Sequence, residues 1–326
     1  STAWGDAMTV IPWQLYLMYG DKKDLEVNFD AMKRWVDFMT NDSLDKYLWT
    51  CADDSDKMWR KHYGDWLALD APSGSYRGIT PDNFIASAFY AYSTDILIKA
   101  GKVIGKGMSE YEELHRNIVS TFKKTFTEYS TQTECVLALY FNLTDDKAKT
   151  AKQLNDMIVS NGNKLKTGFV GTPYLLYALS ENGYAQTAYS LLLQEGYPSW
   201  LYEVNHGATT VWEHWDGIRD DGTFWSTDMN SYNHYAYGSV VDWLYSAAGG
   251  IKPVEQNSGF KEAVIAPVPD KRLGSINVSL DTAYGTIKSA WHYEGDKVCY
   301  EITTPVKATI IINGEEHLVV SGTYYF

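Results

Sequence analysis

The segment Trp212-Glu213-His214-Trp215-Asp216 places two carboxylates, an imidazole and two indoles within five consecutive positions. A glutamate between two tryptophans is costly to ionise wherever water is excluded. Its pKa then rises, and a carboxylate poised in that way can take a proton from water as a general base. The same residues permit a plainer reading, in which Glu213 caps a helix or pairs with Arg219. Similar mixtures recur in Gly64-Asp65-Trp66 and Tyr232-Asn233-His234-Tyr235. The chain carries 12 Trp, 25 Tyr and 11 Phe, and many of them sit beside Asp, Glu, Asn or His. Sugar sites need that mixture, because the apolar face of a pyranose lies on an aromatic ring while its hydroxyls require carboxylate and amide partners. A core rich in Trp and Tyr with satisfied polar tips would give the same counts.

Charge and motif content remove several classes of function. With 28 Lys+Arg against 41 Asp+Glu the net charge is −13, the wrong sign for a phosphate backbone, so no nucleic-acid partner is expected. No apolar run is long enough to span a bilayer, so no membrane partner is expected either. No Gly-rich loop followed by Lys succeeds a strand, which argues against a nucleotide site. Cys51, Cys135 and Cys299 lie far apart and form no CxxC spacing, so they support neither a disulfide framework nor a zinc site and read as small core residues. Asp53-Asp54-Ser55-Asp56 is only loosely like an oxygen-rich cation loop, and a solvated acidic turn is the simpler reading. Neither cofactor nor metal is expected. The chain opens at Ser1 without a basic n-region or signal-like apolar stretch, and no compartment is assigned.

The elements that must position these residues change character near residue 250. Apolar residues at helical spacing predict helices over Ala7–Tyr19, Leu25–Met39, Asn83–Ile104, Glu110–Phe126, Thr133–Phe141, Asp146–Val159, Pro173–Leu179, Ala185–Gln194, Ala208–Trp212 and Ser231–Ala247. Ser109 is the expected N-cap of the fourth. The long connections 42–80, 161–171 and 214–230 carry the Trp, Asp and Gly clusters, and ordered loops of that length usually serve function. From about Phe260 onward, short β-branched runs alternate with turns such as Gly295-Asp296 and Asn313-Gly314. Two domains are expected, residues 1–252 helical and 253–326 a small antiparallel β-sandwich. The helical hairpins show no fixed-period repeat, so a toroid fits better than a solenoid. Five hairpins is one short of a full (α/α)6 ring.

The pieces Ala3-Trp4-Gly5-Asp6-Ala7, Pro12-Trp13, Tyr19-Gly20-Asp21, Met32-Lys33-Arg34-Trp35-Val36, Gly64-Asp65-Trp66-Leu67, Thr167 to Pro173, Tyr197 to Leu201, Gly207 to Gly217, Met229 to Ala236 and Tyr284-Gly285-Thr286-Ile287 occur in one order along nearly the whole chain. In that order they resemble the α-L-rhamnosidases of glycoside hydrolase family 78. Single pieces such as Gly-Asp-Trp are weak, and their number and order carry the resemblance. It implies a mainly α (α/α)6-type catalytic toroid followed by a β-sandwich. It also implies inverting hydrolysis of terminal non-reducing α-L-rhamnose from glycosides or polysaccharides, with one carboxyl protonating the leaving oxygen and another activating water.

By that resemblance Glu213 matches the general base and His234 a histidine that contacts the rhamnose. Trp4 and Trp66 match aromatic residues lining the sugar pocket. Asp6 and Asp65 beside them are candidate hydroxyl acceptors. Trp212 is a further candidate for the pocket, with packing the alternative for it or for Trp215. The family's general-acid motif lies one hairpin before the segment matching Ala3 to Ala7. The expectation is therefore a toroid lacking its first hairpin, a chain that is part of a larger enzyme and is without the acid, and an exposed apolar face that recruits a partner or a second copy into a homo-oligomer. The competing readings are a toroid hydrolase acting on another sugar and a non-catalytic carbohydrate-binding protein.

Overall fold

The computed structural model describes residues 1–43, 45–50 and 62–326. Cys51 and Asp53 to Asp56 fall outside them. By internal packing the chain forms two compact units, one of residues 1–10 with 28–239 and one of residues 11–27 with 240–326.

Successive helices alternate between two kinds. The helices are α1 (Ala7–Tyr19), α2 (Lys23–Asp42), α3 (Asp82–Val103), α4 (Ser109–Thr125), α5 (Gln132–Tyr140), α6 (Lys147–Ser160), α7 (Thr172–Ser180), α8 (Ala185–Leu192) and α9 (Trp200–Asn205). In α3 burial runs almost unbroken from Phe84 to Ile98, and in α5 from Gln132 to Leu139. A helix apolar on all sides belongs inside. In contrast α4 buries only Tyr111, Ile118 and Phe122, and α6 only Thr150, Ala151, Leu154 and Ile158, each a single stripe. The inner helices follow one another, α3 packing on α5, α5 on α7 and α7 on a 3-10 turn at Ala236–Ser239. This inner-and-outer succession of hairpins is the toroidal arrangement expected from the sequence. On α1 the stripe of Ile11, Leu15 and Met18 is 56%, 38% and 39% exposed.

Local signals explain most helix ends. Thr131 and Glu134 form a reciprocal capping box at α5, and Asp146 and Ser199 accept the N–H groups of Lys149 and Tyr202. Ser109 is not a cap: it is the first residue of α4, whose N-cap is Met108. Two predicted helices are corrected. Residues 208–212 are irregular, with the helix falling earlier, over Trp200–Asn205. Gly207 in the left-handed region (φ 81°) follows the end of α9, and Thr209, Thr210 and Val211 are β-branched and favour extended backbone. Likewise 231–235 is irregular. Helix begins only at Ala236–Ser239 and continues as α10 (Val240–Trp243) and a π-helical stretch, Leu244–Ala248.

Eight strands follow: β1 (Ile251–Pro253), β2 (Ala263–Ile265), β3 (Ser275–Thr282), β4 (Gly285–Glu294), β5 (Lys297–Thr304), β6 (Ala308–Ile312), β7 (Glu315–Val319) and β8 (Gly322–Tyr325). They form two four-stranded sheets, ordered β1-β2-β6-β7 and β3-β4-β5-β8. Pairing is antiparallel except between β2 and β6. Alternation delivers Ile287 and Trp291 from β4 and Ala308, Ile310 and Ile312 from β6 to one shared core with Ile265 and Ile302, the face-to-face packing of a sandwich. In the same unit, Gly20 and Gly259 meet back to back at the end of α1. A Cβ on Gly259 would lie 2.8 Å from the Gly20 backbone, so both must lack a side chain.

Candidate active site

Glu213 lies on an irregular segment, outside any helix, and is half-buried. The segment runs beside residues 231–234. The Glu213 N–H donates to the Ser231 carbonyl at 2.8 Å, and the His234 N–H donates to the Val211 carbonyl at 2.8 Å. Thr210 Oγ1 donates to the Tyr232 carbonyl. The Ser231 N–H returns a bond to Glu213 Oε2 at 2.9 Å. Arg219 does not pair with Glu213, since its Nε donates to Asp216 Oδ2 at 3.3 Å. Both plain readings of Glu213, the helix cap and the Arg219 pair, are thereby removed.

His234 is half-buried and its ring stacks on Phe169, centroids 4.8 Å apart, and on Tyr235 at 5.2 Å. Its Nδ1 accepts the Ala236 N–H at 3.3 Å. In the neutral ring this places the proton on Nε2, as a donor. Phe169 in turn ties His234 to Trp66, because the Phe169 N–H donates to the Trp66 carbonyl at 2.9 Å. The backbone just after Trp66 is tied to two other segments: Leu67 N–H to the Tyr76 carbonyl at 2.6 Å, and Leu69 N–H to the Lys166 carbonyl at 3.0 Å. Gly168 makes the approach feasible, since a Cβ there would lie 2.2 Å from the Trp66 carbonyl oxygen.

From Trp66 a row of aromatic rings extends both ways. Trp4, 38% exposed, meets Tyr63 edge-on at 5.0 Å, and Tyr63 meets Trp66 at 5.8 Å. On the other side Tyr76 lies 5.5 Å from Trp66 and 6.0 Å from Trp225. Trp225 stacks on His214 at 3.4 Å. Exposed and half-exposed rings in a row offer flat apolar faces to a sugar. Tyr63, Phe169, Tyr76 and Trp225 were not singled out in the sequence. Their recurrence beside polar residues was the only signal, and it does not separate a wall from a core.

Three of the candidate residues are corrected. Asp6 is fully buried and already accepts the Ala3 N–H at 2.7 Å, Trp35 Nε1–H at 2.9 Å and Ser93 Oγ–H at 2.6 Å. Asp65 is fully buried too. It accepts Thr133 Oγ1–H at 2.5 Å and the N–H groups of Gly168, Val170 and Gly171 at 2.9, 2.8 and 3.3 Å. Burial pushes both carboxyls up against the pull of these donors. Fully buried and engaged by three donors on Asp6 and four on Asp65, they tie neighbouring segments together and do not face a space where a sugar could lie. Trp212 is 3% exposed, with its ring edge-on to Tyr232 at 5.6 Å, so it packs. Trp215, 2% exposed, stacks on Tyr237 at 4.0 Å and packs as well.

Two ionisable neighbours were missed by the sequence reading. Glu203 on α9 is buried, accepts the Trp212 N–H on Oε2 at 3.1 Å, and has its carboxyl pushed up to about 8 by burial. His214 is 5% exposed, and burial pulls its imidazole down to about 4, so it is neutral near pH 7.

Cleft size does not locate this site. A cleft of about 900 Å³ is lined by Lys123, Asp145, Lys149, Lys152 and Asp156 near the ends of α4 and α6. It contains none of the candidate residues, and Lys123–Asp145 and Lys152–Asp156 are already ion-paired across 2.8 and 2.5 Å. Among the described residues, one group brings three metal-ligand types within 4.8 Å of one another, His292, Glu294 and Cys299 on the β4–β5 hairpin. His292 Nε2 there faces Glu294 Oε1 at 3.4 Å on an exposed surface.

A toroid of helical hairpins with a half-buried carboxylate, a histidine and a row of exposed and half-exposed aromatic rings is the arrangement expected of a carbohydrate-active helical domain. Residues 1–248 match the bacterial alpha-L-rhamnosidase six-hairpin glycosidase domain and residues 250–324 the bacterial alpha-L-rhamnosidase C-terminal domain, so the chain belongs to the bacterial α-L-rhamnosidase family. An alpha-L-rhamnosidase of Formosa agariphila is 36% identical over 320 residues, covering 95% of this chain and 33% of that protein. One of Streptomyces avermitilis is 33% identical over 316 residues, covering 94% of this chain and 29% of that protein. The crystal structure of an S. avermitilis alpha-L-rhamnosidase complexed with L-rhamnose superposes on the whole chain with TM-score 0.88 and 31% identity, over 33% of its own length. The native Aspergillus terreus enzyme gives TM-score 0.88 and 32% identity over 39% of its length. The chain thus spans about a third of the length of these relatives.

Proposed function

We propose that the chain carries the base and the sugar-binding face of an inverting α-L-rhamnosidase acting on terminal non-reducing α-L-rhamnose. Glu213 is the general base, taking a proton from the water that attacks the anomeric carbon. His234 Nε2–H donates to a rhamnose hydroxyl, and Trp66 and Trp4 receive the apolar face of the ring. The observation that carries the reading is the reciprocal Glu213–Ser231 pairing. It fixes the backbone of the base and ties down one carboxylate oxygen, beside a histidine that is itself stacked on the Phe169 ring next to Trp66.

The relation between base and product is testable directly. Water delivered opposite the departing oxygen releases the β-anomer of L-rhamnose first. Proton NMR during the first minutes of hydrolysis of 2,4-dinitrophenyl α-L-rhamnoside, whose leaving group departs without an acid, reads the anomer formed before mutarotation. Initial β-L-rhamnose is expected; initial α-L-rhamnose would overturn the assignment of Glu213 as a base in favour of a nucleophile.

A further inference from the structure

The β4–β5 hairpin, none of whose residues belongs to the sugar site, gathers three different metal-ligand types on one face. The pairing register does this. His292 lies directly opposite Cys299, and Glu294 directly opposite Lys297. Side chains two apart on a strand share a face, and so do those directly opposed across an antiparallel pair. His292, Glu294, Lys297 and Cys299 are therefore neighbours on one side of the sheet. It is the outward side, because Trp291 and Tyr300, which alternate with them, are 1% and 5% exposed in the sandwich core.

Free cysteine is among the residue types most often buried, and Cys135 follows that rule. Cys299 is a free thiol only half-buried on the outward face, with an imidazole and a carboxylate around it. Cys299 Sγ, a ring nitrogen of His292 and a carboxylate oxygen of Glu294 all lie within 4.8 Å of one another. Around a tetrahedral zinc ion, with bonds of about 2.0–2.3 Å, neighbouring ligand atoms sit roughly 3.3–3.8 Å apart. The edge between His292 Nε2 and Glu294 Oε1 is already 3.4 Å. Small rotations of these outward side chains bring Sγ to the same spacing. The donor set selects the metal. Thiolate and imidazole suit zinc and its late first-row neighbours, whereas calcium and magnesium call for oxygen ligands throughout.

We propose that His292, Glu294 and Cys299 form a three-ligand site for zinc or a similarly thiophilic divalent cation, open to water at its fourth position, that clips β4 to β5 beside the hairpin turn. Binding releases the thiol proton to solvent, and the thiolate and carboxylate then offset the charge of the ion while the neutral imidazole donates a lone pair. Only the folded register brings the three ligands together, so the ion stabilises the folded chain by mass action. The ligands come from two strands, which is why cysteine spacing along the chain gives no sign of the site.

The test is titration of the full chain with Co²⁺ and then Zn²⁺, in anaerobic buffer near neutral pH. Cobalt should give a thiolate-to-metal charge-transfer band in the near ultraviolet and visible bands of tetrahedral intensity. Zinc should bleach them with a dissociation constant of about 10 μM or tighter, and excess Mg²⁺ or Ca²⁺ should not. Cys299→Ser should abolish the charge-transfer band, and His292→Ala and Glu294→Gln should each weaken binding by about tenfold or more. Lys297→Ala, on the same face but not a ligand, should keep the site, which separates loss of a ligand from damage to the hairpin. Zinc should also raise the melting temperature of the wild-type chain more than that of Cys299→Ser. The site is overturned if the band is absent, if it appears only at millimolar metal, if it survives in Cys299→Ser, or if Lys297→Ala weakens binding as much as the ligand variants do.

Discussion

Glu213 and Ser231 exchange two hydrogen bonds: the Glu213 N–H goes to the Ser231 carbonyl at 2.8 Å, and the Ser231 N–H goes to Glu213 Oε2 at 2.9 Å. Both use the Ser231 backbone, and its side chain takes no part. Ser231→Ala should therefore leave turnover of 2,4-dinitrophenyl α-L-rhamnoside, whose leaving group needs no acid, within about threefold of the wild type, whereas Ser231→Pro removes the donor and frees the carboxylate. A misplaced base by ~1 Å costs about a hundredfold, so the proline variant should lose at least that much kcat. Steady-state kinetics of the two variants side by side read the difference. Equal loss in both would show that the serine hydroxyl matters and the backbone pairing does not.

Asp65 and Trp66 are adjacent in sequence and opposite in role. Asp65→Ala strands three buried N–H groups and the Thr133 hydroxyl, and each buried polar group left unpaired costs about 1–3 kcal/mol. Trp66→Ala should change urea stability much less and weaken L-rhamnose binding by about tenfold or more. Denaturation and calorimetry on both variants separate the roles; a stable Asp65→Ala chain with lost sugar affinity would return Asp65 to the sugar site.

Gly168 is where the loop carrying Phe169 touches the irregular segment carrying Trp66. Gly168→Ala inserts a methyl that would lie 2.2 Å from the Trp66 carbonyl and 2.6 Å from the Ala68 nitrogen, so backbone must move. Overpacking of this sort costs about 1–3 kcal/mol, and here it should also lower L-rhamnose affinity, because Trp66 and Phe169 shift together. Unchanged binding in a destabilised variant would mean that Trp66 can move without consequence for the sugar.

Glu203 gives a pH signature. Its folded pKa of about 8 lies above the ordinary glutamate value of 4.5, so between those limits the folded state holds a proton that the unfolded state has lost. Stability then falls as pH rises from about 4.5 to about 8 and is flat above. Glu203→Gln has no such proton and keeps an oxygen to accept the Trp212 N–H. The variant should gain on the wild type across that window, reaching on the order of a few kcal/mol by pH 9. Urea melts at pH 5, 7 and 9 check it; a variant that loses ground as pH rises would show that folding lowers the Glu203 pKa instead of raising it.

Much of this architecture was legible in the sequence, because long periodic helices such as α3 and the alternating strands β4 and β6 announce which face is buried. What escaped depends on contacts remote in sequence. Asp65 looks like a sugar-binding carboxylate beside a tryptophan, and only the loop more than 100 residues later, which delivers the N–H groups of Gly168 and Val170 to it, makes it structural. Trp212 and Glu213 are likewise neighbours that part company: one turns inward against Tyr232, while the other pairs with Ser231 and stays half-exposed. The helix expected over 208–212 failed because its β-branched residues favour extended backbone, which here pairs with 231–234. The packing of residues 11–27 with the β unit leaves no local mark.

Glu213 as the group that removes the proton from water is read out by hydrolysis of 2,4-dinitrophenyl α-L-rhamnoside, whose leaving group departs without protonation and so reports the base alone. The wild-type chain should turn this substrate over, Glu213→Gln should lose roughly 10²–10⁴-fold in kcat, and L-rhamnose affinity should be preserved within about threefold, since the amide keeps the shape of the carboxylate. Turnover by Glu213→Gln equal to that of the wild type, with the sugar still bound, would contradict it.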